Sequence, residues 1–253
     1  MVDVFENAVS IFIHNKDVRS IKTTDGVVIW EKSQRFGIFM TFDGETARYG
    51  RNIISNNGLT IYWGDGTSDV IINNQSVVHN YTDGESTHNI VFAGEITSLG
   101  TSVFQGNHVT HISLPNTVTS LGDNCFMESG ISEINIPNSV VSFGSSCFKS
   151  CFNLTSVEIP NSITRISDYC FSNCSNLVDV IIPNTIVELG TDCFKGCYKL
   201  TNYELFWTGN NVLTYDSTKL HTNSDTVFTI PNGSANDYIA KGYPSDKLIE
   251  RSA

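Results

Sequence analysis

A repeat with a period of about 22 residues extends over about residues 94–203 and limits the folds that this sequence can adopt. Four prolines follow it, and their sequence numbers differ by 22, 23 and 23: Pro115, Pro137, Pro160 and Pro183. A series of phenylalanines has sequence numbers that differ by 22, 22, 23 and 23: Phe104, Phe126, Phe148, Phe171 and Phe194. Two unrelated residue types that keep one period indicate a solenoid, in which each repeat packs only on its neighbours.

Each repeat unit has the same internal order. A three- or four-residue alternating strand ends at the proline, an Asn-Ser/Thr turn follows, and a second short apolar pair precedes Cys-Phe. Alignment of the units places apolar residues in columns, one of which contains Ile112, Ile134, Val157 and Val180. One unit cannot close a core with so few apolar residues, so the columns are predicted to stack from turn to turn.

At these residues the sequence resembles the BspA-type leucine-rich repeat, whose pattern is a strand, IPxSV, a small residue, AF, a variable turn and C. The resemblance covers about residues 94–203. The chain departs from the pattern in one column, where cysteine stands in place of the usual alanine: Cys125, Cys147, Cys170 and Cys193. The resemblance implies a mostly β solenoid and a non-enzymatic binding or adhesion protein that is secreted or on a cell surface.

The preceding segment, residues 34–93, resembles a PKD-type Ig-like β-sandwich. The resemblance lies in IYWGDGTSD at 61–69 and HNYTDGESTHNIVFAG at 79–94. It implies that Trp63 and Tyr81 lie in the sandwich core and that Asp65 and Gly66 form the tight turn between two strands. We therefore expect a mostly β chain with an Ig-like sandwich in front of the solenoid.

The N-terminal segment, residues 1–33, contains two β-rich runs within residues 9–32, separated by Asp25-Gly26. This dipeptide is a strong hairpin signal, which predicts a small N-terminal β element. The segment is too short to form a sandwich by itself. We expect it to attach the protein to a larger virion or surface assembly.

The C-terminal segment, residues 204–253, continues the repeat in a weaker form. Residues 204–230, which include Phe206, are expected to form a degenerate turn. The remainder is expected to form a terminal cap with a short helix near residues 236–241, which protects the last strand edge of the solenoid.

Seven cysteines lie in the repeats, in the column named above and in a second one: Cys151, Cys174 and Cys197. They recur once per turn in slots that otherwise hold apolar residues. This favours buried free thiols over disulfides or a zinc site, which usually uses two convergent cysteine pairs. His108 and His111 are close in sequence but have no third ligand column, so we expect no metal and no cofactor.

The sequence contains no GxSxG, HExxH, P-loop or GxGxxG motif, and the repeats bring no acid and base together. An enzyme is therefore the least favoured class. The net charge is -11, and no Lys or Arg occurs between Arg51 and Lys149, which argues against a nucleic-acid ligand. The apolar runs are too short for a signal peptide or a membrane span, so membrane insertion is not expected.

Strand alternation within the repeats predicts one outward-facing surface, because the intervening aliphatic residues point inward. This face comprises Glu133, Asn135, Ser156, Glu158, Asp179 and Ile181. Its acidic and amide groups suit a polar or basic partner, and the alternative is a solvated surface that binds nothing.

The favoured function is adhesion or receptor binding to a host-cell surface protein or glycan. Because surface-type modules occur without an export signal, a virion tail-tip adhesin of a virus that infects a prokaryote is the first hypothesis. The alternatives are a cell-surface adhesin of a bacterium or archaeon and a purely structural virion subunit, either of which could form homo-oligomers.

Overall fold

A computed structural model of the chain describes residues 58–71, 77–82 and 87–252, together with six strands upstream of residue 58. These six are β1 (Val9–His14), β2 (Asp17–Thr23), β3 (Val28–Glu31), β4 (Ile38–Asp43), β5 (Thr46–Tyr49) and β6 (Ile53–Ser55). The structure is mostly β, with a solenoid of about seven turns and a small antiparallel N-terminal sheet. No helix in the described residues is long and apolar enough to cross a membrane.

The remaining elements follow in chain order. Ahead of the repeats lie β7 (Leu59–Tyr62), β8 (Ser68–Ile71), β9 (Val77–Asn80) and β10 (Thr87–Ala93). The repeats contribute β11 (Ile96–Leu99), β12 (Val109–Ser113), β13 (Ser120–Leu121), β14 (Glu133–Asn135), β15 (Ser142–Phe143), β16 (Ser156–Glu158), β17 (Arg165–Ile166), β18 (Asp179–Ile182), β19 (Glu188–Leu189) and β20 (Asn202–Leu205). The C-terminal segment adds β21 (Val227–Ile230), α1 (Ala235–Ala240) and β22 (Leu248–Glu250).

The N-terminal strands form a three-stranded antiparallel sheet in the order β1-β2-β3. The predicted small β element is thus confirmed, and Ser20 of β2 lies opposite Glu31 of β3. The Asp25-Gly26 dipeptide itself lies outside the described residues.

The Ig-like sandwich predicted over residues 34–93 is not evident in the described residues of this range, because their strands join the repeats. One six-stranded sheet has the order β14-β12-β4-β10-β7-β8. Strand β4 pairs antiparallel with β10 on one side and with β12 on the other. The first repeat strand would otherwise expose an unpaired edge, and β4 removes that edge by hydrogen bonding to it.

Two local features of that segment agree with the prediction. Trp63 and Tyr81 are buried, and the turn around Asp65 and Gly66 joins the antiparallel strands β7 and β8. Strands β5 and β9 pair separately, and β6 pairs antiparallel with β11 at the start of the second repeat sheet.

The solenoid core consists of the predicted columns. The five phenylalanines of the repeat are fully buried, and neighbouring rings stack with centroid separations of 5.1 to 5.4 Å. Hydrogen bonds between turns accompany the stack, as in Phe148 N–H to the Cys170 carbonyl at 2.8 Å. The aliphatic columns are buried as well, except that Ile134 is only partly buried. Each buried aliphatic side chain contributes about 1.5–3 kcal/mol to stability.

The close approach of successive turns explains a glycine column. A Cβ on Gly144 would overlap the backbone of Gly122 and Asp123 in the preceding turn, and a Cβ on Gly190 would overlap the backbone of Asp168. Aspartates one position after this column connect turns, since Asp123 Oδ1 accepts a hydrogen bond from Ser145 N–H at 2.7 Å. The glycines and aspartates therefore set how tightly the turns can stack.

The C-terminal segment extends the solenoid. Strands β16, β18, β20, β21 and β22 form a five-stranded sheet in that order, and every pair in it is parallel. The predicted helix is confirmed as α1, in which Tyr238 is buried. The three-residue strand β22 leaves only a short edge at this end of the sheet.

Candidate functional site

The structure places the predicted outward face on three consecutive turns, in strands β14, β16 and β18. Five of its residues have exposed side chains and the sixth, Ile181, is partly exposed. The intervening Val157 and Val180 are buried, so the predicted alternation is confirmed in β16 and β18. Whether this face binds a partner remains a prediction.

The face is not one continuous hydrogen-bonded sheet. Strands β16 and β18 pair directly, so Glu158 lies beside Ile181. Strand β14 pairs instead with β12 of the preceding turn. A hydrogen bond from Thr155 N–H to the Ser132 carbonyl, at 3.2 Å, connects the turn of β14 to that of β16. The face therefore has two parts, of which the β16–β18 part continues toward the C terminus.

A row of polar groups extends the face onto β20 and β21. The Asn202 amide donates to Asp179 Oδ1 at 3.3 Å. In turn, the Thr229 hydroxyl donates to Asn202 Oδ1 at 3.0 Å. The Asp179 carboxylate is thus hydrogen-bonded to β20 directly, and Asn202 connects it in turn to β21.

A cavity of about 270 Å³ lies at the C-terminal part of the face. Glu158 and Ile181 of the predicted face line it, together with Asn161, Asn184 and Phe206. The two asparagines occupy the Pro-Asn turns of successive repeats, and both are exposed. The cavity thus combines one carboxylate, two carboxamides and apolar surface.

The Phe206 ring is 38% exposed, and an ion pair fixes its position. The Arg251 guanidinium carbon lies 3.8 Å from the ring centroid. Arg251 Nε donates to Glu204 Oε1 at 3.1 Å, and the Arg251 backbone N–H donates to the Ile230 carbonyl. A cation over an aromatic face is stabilising, so these contacts restrict how the ring can move.

The cysteine columns are buried, as predicted, and all seven cysteines are free thiols. The thiols of the second column donate to phenylalanine carbonyls of the preceding turn, as Cys197 does to Phe171 at 3.1 Å. Burial raises the pKa of Cys193 and of Cys197 to about 12. Neutral thiols are poor nucleophiles and poor metal ligands, so these cysteines act as small core residues.

A second polar cluster lies at the turn between β7 and β8. His79 Nε2 is 2.7 Å from Asp65 Oδ2, and the two rings of His79 and Trp63 stack with centroids 4.6 Å apart. Burial raises the pKa of Asp65, but hydrogen bonds from Thr67 and the nearby His79 outweigh this and hold that pKa below its ordinary value. Trp63 Nε1 donates to Asp69 Oδ2 at 2.8 Å. These contacts stabilise the turn between β7 and β8.

Metal binding finds no support in the described part of the chain. No group of three or more His, Cys, Asp or Glu residues there is arranged to hold an ion. His111 lies beside Glu133 at 3.7 Å, and both side chains are about half exposed, which makes this a weak surface contact.

Comparison with known families identifies the repeats. The profile described as "BspA type Leucine rich repeat region" matches residues 79–205 in six copies. The chain belongs to the BspA-type leucine-rich repeat family. This match begins in strand β9, which lies upstream of the first repeat that the proline spacing predicts. A search of curated proteins found no match.

Solved structures similar to this BspA-type chain come from several bacteria. A leucine-rich repeat protein of T. pallidum is 21% identical with a TM-score of 0.45, and the match covers 62% of this chain and 81% of that one. A leucine-rich cell surface protein of Faecalibacterium prausnitzii is 16% identical with a TM-score of 0.30, covering 62% and 58%. The pneumococcal vaccine antigen PcpA is 14% identical with a TM-score of 0.35, covering 62% and 56%. The match thus spans little more than half of the last two proteins.

The cavity residues Asn161, Asn184 and Phe206 of this BspA-type chain were not predicted from the sequence as candidate site residues. A signal for the asparagines was present, because a Pro-Asn turn recurs in every repeat unit. No sequence signal placed Phe206 beside them, since it lies in the segment where the repeat degenerates.

Proposed function

We propose that this protein is a non-enzymatic adhesin of a bacterial or archaeal cell surface that binds a host-cell surface protein or glycan through its outward face. Membership of the BspA-type family supports this proposal, because the sequence resemblance implies surface-exposed or secreted binding proteins. The virion tail-tip hypothesis and the structural-subunit hypothesis gain no such support.

The observation that carries the proposal is the exposure of polar side chains on a rigid sheet. Val157 and Val180 are buried in the core, which fixes the backbone from which Glu158 and Asp179 project. Among the residues that the structure describes, none hydrogen-bonds to the Glu158 side chain. A ligand can therefore bind to the preorganised Glu158 carboxylate without first displacing a protein partner, which reduces the entropic cost of binding.

The charge of the face determines the kind of partner. Glu133, Glu158 and Asp179 give it three carboxylates, and the whole chain has a net charge of -11. Such a surface repels phosphate backbones and favours polar or basic groups. The partner is accordingly a protein or glycan, and nucleic acid is not expected to bind.

Attachment of labelled protein to cells tests the proposal. The variant Glu158→Lys with Asp179→Lys reverses two charges on the face. The control Glu128→Lys with Asp246→Lys makes the same change in net charge at two exposed residues outside the face. Both variants should melt like the wild type, because exposed substitutions change stability by about 0.5 kcal/mol or less.

We expect the face variant to lose attachment to cultured animal cells, bacterial cells or isolated envelopes, whichever the wild type binds, while the control variant attaches normally. Equal attachment of the face variant would eliminate this surface. Surface labelling of intact producing cells tests the location, and detection only in purified virus particles would contradict it.

A further inference from the structure

We infer that the cavity lined by Glu158, Asn161, Ile181, Asn184 and Phe206 binds a neutral sugar residue of a glycan. This inference rests on the proposed function, because it specifies the class of ligand for the C-terminal part of the same face. The size of the cavity, the chemistry of its polar groups and the charges around Phe206 support it.

The size of the cavity suits a small ring. Its volume of about 270 Å³ is just below the usual range of small-molecule sites, which is about 300–1,000 Å³. A single sugar ring is compatible with that volume, whereas an extended peptide segment would project over its rim. The ligand is therefore one residue at the end or on a branch of a larger glycan.

The polar groups match a ring that carries hydroxyls. Each carboxamide offers two donors and one acceptor, and a carboxylate offers only acceptors. Asn161 and Asn184 occupy equivalent positions in adjacent turns, and neighbouring strands of a sheet are about 4.8 Å apart. Within the described residues, neither asparagine amide hydrogen-bonds to the protein, so both can bind vicinal hydroxyl groups. Glu158 adds an acceptor for a further hydroxyl.

The aromatic ring supplies the apolar contact that a sugar face requires. Phe206 lines the cavity, and the Arg251 guanidinium, which is paired with Glu204, fixes the ring. A fixed aromatic ring loses little conformational entropy when a ligand packs on it. Ile181 extends this apolar surface on the adjacent strand β18.

The charges select a neutral ligand. Glu158 attracts cations, as the rest of the face does, but the guanidinium of Arg251 already lies over Phe206 at 3.8 Å. A cationic ligand would therefore compete with Arg251 for a cation–π contact with this ring. An anionic ligand would meet the carboxylate of Glu158, the one charged side chain among the described residues that line the cavity. A neutral polyhydroxylated ring avoids both the competition with Arg251 and the repulsion from Glu158.

The test uses the full chain and a panel of soluble sugars. Saturation-transfer NMR and calorimetry are performed with the methyl glycosides of glucose, galactose, mannose and N-acetylglucosamine, and with glucuronate and glucosamine as charged counterparts. We expect at least one neutral glycoside to bind with a Kd of about 1 mM, which is a modest affinity for a single ring. Its charged counterparts should bind about tenfold more weakly or not at all.

Matched variants locate the binding. Phe206→Ala and Asn184→Ala should each weaken the binding about tenfold. The controls are Asn138→Ala, which changes the equivalent asparagine outside the cavity, and Phe152→Ala, which removes another exposed phenylalanine. Both controls should bind like the wild type. Asn184 is exposed, so its variant tests the site even if truncation of Phe206 harms folding.

Three results would overturn the inference: no neutral sugar binds, the control variants weaken binding as much as the cavity variants, or tetralysine binds at Phe206 in place of the sugars. Cell attachment measured in parallel separates the two proposals. Attachment without sugar binding overturns only the sugar site, whereas the absence of attachment removes the proposed adhesin function.

Discussion

The phenylalanine stack is the most direct test of how this solenoid is stabilised, and Phe148→Ala is the informative substitution. The Phe148 side chain is 0% exposed and stacks between Phe126 and Phe171, with centroid separations of 5.3 and 5.1 Å and nearly parallel rings. It also meets Phe143 edge-to-face at 5.7 Å. Truncation removes contacts to three turns at once.

The expected cost is about 3–5 kcal/mol in the free energy of unfolding, which is the usual range for truncating a buried phenylalanine. The two stacked contacts account for about 1–3 kcal/mol of this, at about 0.5–1.5 kcal/mol per aromatic pair. The remainder comes from lost apolar burial and from the cavity that the truncation leaves. The neighbouring turns pack closely on both sides, so their side chains cannot easily move in to fill this cavity.

Equilibrium unfolding in urea measures this cost from the shift in midpoint and the slope of the transition. Phe152→Ala is the control, because Phe152 lies four residues away and is 53% exposed. It should cost about 0.5 kcal/mol or less. A cost below about 1 kcal/mol for Phe148→Ala, or equal costs for the two variants, would refute the role of the stack. Since solenoids can unfold in more than one step, an unchanged slope is needed for the comparison.

Three further predictions concern other parts of the chain. Gly144→Ala should cost about 1–3 kcal/mol because its methyl group would overlap the backbone of the preceding turn, and an unchanged thermal melt would contradict this. All seven thiols should react with a thiol reagent only after denaturation. In the folded chain the pKa of Cys193 and Cys197 is raised to about 12, so these thiols ionise at a lower pH in the unfolded chain than in the folded one. The free energy of unfolding should therefore fall as the pH rises from about 9 to 12. Deletion of residues 1–33 should abolish incorporation into a larger surface assembly and leave the solenoid folded, as judged by circular dichroism; normal assembly of the truncated chain would place the anchor elsewhere.

Local sequence pattern was enough to predict the solenoid, because each turn repeats the same local environment. The spacing of the phenylalanines and prolines predicted the stacked columns, and alternation about Val157 and Val180 predicted the outward face. The slots that the cysteines share with apolar residues predicted that the thiols are buried. These predictions were correct because each repeat contacts only the repeats next to it. Residues that stack in the core are therefore separated in sequence by the short, constant period of the repeat.

Features that depend on distant or irregular segments could not be predicted and became apparent in the folded chain. The local pattern around Trp63 indicated β-strands and a tight turn, but the pairing of β4 with β12 is a long-range choice that local pattern does not encode. That pairing turned an expected sandwich into an extension of the repeat sheet. Likewise, Phe206 lies where the repeat degenerates, and only the stacking of β20 beside β18 brings it to the cavity with Glu158 and Asn161. Periodicity cannot place a residue once the period is lost, so the candidate sugar site follows from the fold alone.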